Sequence, residues 1–145
     1  MTTILSAKEL LAKIAQSEGA KASAAMKAQA AAEAEKHAMM ERLSKPSGLT
    51  DDEILEKAAI IFSRAIENGM TSVQVLRFPH TLCSDNARAI NQAEEGWEKS
   101  LSGIPKELYE FWKRQLQPRG YHIRYEIIDY PGGMLGDVGV TISWG

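Results

Sequence analysis

One cysteine, Cys83, is present in 145 residues. That excludes an intramolecular disulfide framework and any zinc or iron–sulfur site built from several thiolates. Long apolar runs are missing too: the longest, Ala58–Phe62, is five residues, against the ~20 that a membrane-spanning helix needs. Neither sign of charge dominates, and a formal net charge of -2 gives bulk electrostatics no hold on a polyanion. No nucleic acid and no membrane is therefore expected as a partner. Met1 to Ser6 lack the basic and apolar stretches of a secretory leader, and Glu9 and Glu18 fall where organelle-targeting peptides avoid acids. The expectation is a cytoplasmic protein.

Proline and aromatic residues are absent from Ser6 to Leu43, and what remains is dense in Ala, Lys, Glu, Gln and Met, all strong helix formers. This sets residues 1–46 apart as a helical arm and 47–145 as a compact domain. The arm has seven basic and five acidic residues, the domain ten and fourteen. Within the arm, Leu10, Leu11 and Ile14, with Ala7 one turn earlier, form a short apolar stripe. Beyond it the apolar positions are almost all alanine until Met39, Met40 and Leu43. Gly19 costs about 1 kcal/mol relative to alanine, so the arm is expected as one kinked helix or two. A heptad through Leu11 puts Lys21, Glu35 and Arg42 on its paired positions, which does not support a long regular coiled coil. An arm of this length reaches roughly 57 Å at 1.5 Å per residue. Some of it must find another surface or stay solvated.

The segment Ser44-Lys45-Pro46-Ser47-Gly48 breaks the chain. Thr50-Asp51-Asp52-Glu53 then reads as a capping box, opening a helix whose apolar face carries Ile54, Leu55, Ala58, Ala59, Ile61, Phe62, Ala65 and Ile66 and which Asn68-Gly69 ends. Thr71 to Phe78 predicts a strand, with Val73 and Val75 on one face and Leu76 and Phe78 on the other. A helix is expected from Ser84 to about Glu95 with Ser84 or Asp85 as its cap, and another from Pro105 to Gln117. Tyr121, Ile123, Tyr125 and Ile127 alternate with polar residues, as do Val138, Val140, Ile142 and Trp144 with small ones. That is an antiparallel hairpin with a long glycine-rich loop. The fold class is α+β: an Ala-rich helical arm, then an α-β-α-α-β-β domain with a small, mainly antiparallel three-stranded sheet packed on helices.

Chemistry-bearing residues are few. Cys83 stands three residues after His80 and beside Asp85. A helix N-terminus there would lower the thiol pKa and His80 would serve as its base, although Asp85 opposes the thiolate and lone thiols are usually buried. Gly132, Gly133 and Gly136, in the loop Pro131–Asp137, could bring amides to an anion. The loop leads into a strand rather than a helix, however, so a plain hairpin loop is the simpler reading. His122, Arg124 and Glu126 share a sheet face with Thr141 and Ser143, either solvated or open to a ligand or partner. His37, His80 and His122 are too far apart for a known zinc spacing, and no metal or cofactor is expected. Arg77, Arg88, Arg119 and Arg124 form no basic stripe.

Two functions follow as expectations. The first is a non-catalytic protein acting through protein–protein contacts. Its arm would use Leu10, Leu11, Ile14, Met39, Met40 and Leu43 to bind a partner or a second copy. The second is a small-molecule binder or thiol-dependent enzyme using Cys83, His80 and Asp85 with the 131–137 loop.

Overall fold

The computed structural model describes residues 6–145; residues 1–5, on which part of the leader argument rests, lie outside the described residues. By its contacts the chain divides into two compact units, one ending at Met39 and the other Met40–Gly145.

The arm is a single helix, α1 (Ala7–Leu43). Its start is capped by Ser6, whose hydroxyl accepts from the Glu9 amide at 3.2 Å. The expected break at Gly19 does not occur. A lost contribution of about 1 kcal/mol at one position is smaller than the cost of ending a helix and nucleating a second among strong helix formers.

The second unit begins with the last turn of α1 and continues through α2 (Asp51–Glu67), β1 (Ser72–Pro79), α3 (Arg88–Asn91), α4 (Gly103–Phe111), β2 (His122–Ile127) and β3 (Asp137–Ser143). Thr50 caps α2 by accepting from the Glu53 amide, while its own hydroxyl donates to the Glu53 carboxylate, both at 3.2 Å. Helix α4 runs on through a π turn, Trp112–Leu116, and a 3₁₀ turn, Gln117–Arg119, until Gly120 turns the chain at φ 90°.

The sheet is antiparallel with order β1-β3-β2. Ile123, Tyr125 and Ile127 stand opposite Ile142, Val140 and Val138, the alternation read from sequence. In β1 the register shifts between Gln74 and Leu76, so Val73, Leu76 and Phe78 oppose Ile142, Val140 and Val138. The expected split between two faces is thus replaced by a β-bulge at Val75, whose extra residue brings Leu76 and Phe78 to the same face as Val73.

That face carries the core. Phe62, Phe111, Leu116 and Ile142 form its centre, with Phe62 stacked on Tyr121 at 5.2 Å. Beside it Tyr125 contacts Trp97 at 5.0 Å and donates its buried hydroxyl to the Pro105 carbonyl at 2.7 Å. Three strands are narrow. Helix α2 buries only Phe62 and Ala65 outright, with Ile54, Leu55 and Ala58 half-buried. Ala59, Ile61 and Ile66, expected on the core face, are exposed.

The helix expected from Ser84 to Glu95 shrinks to the four residues of α3. The Asp85 carboxylate accepts from the amides of Ala87 and Ala89, both at 3.0 Å, and Asn86 and Ala87 take positive φ. A side chain that captures amides this close competes with the helix itself. At Gly103, φ is +60° and an added Cβ would fall among Leu43 and Ser44 backbone atoms. Only glycine allows the end of α1 to approach the start of α4 this closely.

Candidate functional site

The arm's candidate contact residues divide between the two units. In the first, Leu10, Leu11 and Ile14 are 48%, 67% and 54% exposed, and Met26, outside the expected contact set, is 71% exposed. All side chains from Ser6 to Ala38 are exposed, and Met39 is half-buried. In the second, Met40 is half-buried and receives a hydrogen bond on its sulfur from the Thr81 hydroxyl at 3.8 Å. Leu43 is buried. Its apolar area is already covered by the unit to which it belongs.

Cys83 follows a 3₁₀ turn, His80–Leu82, and its amide donates to the His80 carbonyl at 3.0 Å. The helix N-terminus expected beside it is absent, because Asp85 holds the chain in a turn and α3 begins only at Arg88. The thiol is buried, and burial pushes it up to about 11; the Ser100 hydroxyl offsets part of that and the Asp85 carboxylate adds to it. At neutral pH it is a protonated, packed thiol, the opposite of the thiolate that nucleophilic chemistry uses. The His80 ring is hydrogen-bonded to the loop: its Nδ1 bonds the Gly136 carbonyl at 3.0 Å. The structure does bring His80 and the glycine-rich loop together, through this one hydrogen bond.

Within the loop, Gly132 and Gly133 take positive φ in a 3₁₀ turn, Pro131–Gly133. Gly136 is buried against Asp129, where a Cβ would collide with the carboxylate. Four of the loop's amides are engaged internally. Gly133 donates to Tyr130, Met134 to Pro131, and Gly136 to the Asp129 carbonyl, while Asp137 donates to the Asp129 carboxylate at 2.6 Å. Arg77 clamps the loop's base through Asp137 at 2.7 Å and Asp129 at 3.4 Å. These partners brace it as a hairpin loop, with Met134 exposed at its tip.

On the sheet face opposite the core, His122 and Arg124 stand beside Ser143 and Thr141 in the register, and Ser72 and Gln74 continue the row on β1. Thr71, Ser72, His122, Arg124, Thr141 and Ser143 line a polar depression there. Arg124 is ion-paired with Glu126 at 3.3 Å, both well exposed, an arrangement worth little in water.

Another feature was missed in the sequence: Ile60, Ile61, Ile66 and Met70 are exposed on and just after α2. The signal was a helix with apolar residues around more of its circumference than one sheet can cover. Ile54, Val75, Leu76, Ile104 and Phe111 line an apolar groove of about 170 Å³, smaller than the ~300–1,000 Å³ of typical ligand pockets. Among the described residues no three His, Cys, Asp or Glu side chains gather to hold a metal ion, and no helix is long and apolar enough to cross a membrane.

Compared with models of known families, with curated proteins and with solved structures, the chain finds no match.

Proposed function

We propose that this is a non-catalytic, cytoplasmic protein that acts through protein–protein contacts, with the helical arm as the contact element. The observation that supports the reading is the exposure of Leu10, Leu11, Ile14 and Met26 on a helix with no buried side chain from Ala7 to Ala38. Burying a Leu or Ile side chain is worth about 1.5–3 kcal/mol, so a stripe of them is a reserve of binding free energy. The internal hydrogen bonding of the 131–137 loop and the raised pKa of Cys83 give the thiol alternative no comparable support.

The test is the solution mass of the full chain, by light scattering after size exclusion, beside that of L11K/I14K. The reading expects the double variant to show a lower mass at equal concentration, with the fluorescence of the folded domain unchanged. An unaltered assembly would show that the arm is not the contact.

A further inference from the structure

We infer that the arm's partner is a second copy of the same arm, lying antiparallel, with Glu18 of each chain against Lys36 of the other. The inference rests on the reading of the arm as the contact element and gives that contact an occupant and an orientation.

It starts from the unbroken course of α1 through Gly19. A kink there would have put the two apolar clusters out of phase. In one continuous helix at 3.6 residues per turn, the 29 residues from Leu10 to Met39, or Leu11 to Met40, come to just over eight whole turns. The clusters therefore lie on the same face. Followed along that face, the stripe runs Leu11, Ile14, Glu18, Ala22 and Ala25, then Gln29, Ala32, Lys36, Met40 and Leu43. Its steps are 3, 4, 4, 3, 4, 3, 4, 4 and 3 residues, the same read in either direction. These steps, hendecads on either side of a heptad, average about 3.56 residues per turn, so the stripe stays close to the helix's own 3.6, where the strict heptad drifts onto Lys21 and Arg42. Two nearly straight helices thereby keep contact.

A stripe that reads alike from both ends fits an antiparallel copy of itself. The centre falls at position 27. Ile14 and Met40 lie thirteen residues to either side, Glu18 and Lys36 nine, and Ala22 and Ala32 five. In antiparallel pairing each of these meets its counterpart: apolar against apolar at the ends, alanine against alanine near the middle, carboxylate against ammonium between them. A parallel pair would instead set Glu18 against Glu18 and Lys36 against Lys36. Charge thus selects the orientation. Leu11 falls level with the buried Leu43, which makes Ile14 and Met40 the last tier with exposed area on both chains.

The test is charge reversal in the full chain, with dissociation constants from sedimentation or light scattering. E18K and K36E are each expected to weaken the dimer about tenfold or more, because two symmetric contacts per dimer turn repulsive. E18K/K36E together should restore it to within about threefold. Helix content of each variant, by circular dichroism at matched concentration, guards against simple loss of the helix. If the wild type is a dimer that L11K/I14K disrupts but neither charge reversal weakens, the arm remains the contact and the antiparallel register is overturned. A dimer unaffected by L11K/I14K overturns both readings, and a wild type monomeric at about 100 µM, a concentration well above typical micromolar constants, overturns self-pairing alone.

Discussion

Cys83 is the clearest case of a residue whose surroundings reverse its reading. In the sequence it stands before an expected helix, three residues after a histidine; in the structure it is a buried thiol held up at about 11. Burial raises the thiol, and Asp85 removes the helix start, since its carboxylate takes two amides that a longer helix would have used differently. Such competition between side chain and backbone does not register in hydrophobic periodicity. Two outcomes are expected. In the folded protein Cys83 resists a dilute alkylating agent at neutral pH and reacts once the chain is unfolded, as mass spectrometry would record. The folded pKa lies above the ordinary 9.0, so this group's contribution to stability is fully present below pH 9 and is lost as pH rises through 11. Buried Tyr125, also pushed upward by burial, acts in the same sense. Urea midpoints between pH 8 and 11 should fall less steeply for C83A than for the wild type.

At the scale of elements, the strands of the hairpin were legible because each buries one face, and burial on one face writes a period of two into the sequence. β1 was less so. Adjacent apolar residues at Val75 and Leu76 fit a strand buried on both sides as well as a bulge, and only the partner strand decides between them. The breadth of α2 misled for a related reason: periodicity shows that Ile61 and Ile66 are apolar, not whether the sheet is wide enough to reach them. Gly19 does not break α1, since its cost is local while helix continuity is cooperative. It still costs that amount where it stands. With open space around its absent Cβ, G19A is expected to stabilise α1 by about 1 kcal/mol, measurable as a higher far-ultraviolet ellipticity and a later thermal loss of it.

For the whole molecule, the α+β class and the order of the strands along the chain were readable, whereas the pairing of arms proposed above is a property of two chains and is tested only by assembly. Trp97, Trp112 and Trp144 all belong to Met40–Gly145, so their signals report on that unit, while most of the helical ellipticity comes from α1. If pairing of arms stabilises α1, far-ultraviolet melting shifts upward with protein concentration, as mass action requires, and tryptophan fluorescence melting shifts less. Equal shifts in both would place the association in the domain, where Ile60, Ile66 and Met70 offer an alternative surface.

The sheet order has a consequence for biosynthesis. β3 is the middle strand, yet it is the last to be translated, and β1 has no strand partner until β3 emerges. The two are linked across 60 residues, as in the Arg77–Asp137 pair, which at about 5–20 residues per second amounts to several seconds. During that interval Val73, Val75, Leu76 and Phe78 form a nascent strand with no neighbour, while α1, complete earlier, makes its hydrogen bonds locally and awaits the rest of the domain only at its last turn, where Leu43 is buried. Ribosome-bound chains ending before β3 should therefore carry a formed arm and an unpaired β1, the interval in which a chaperone would have most to hold.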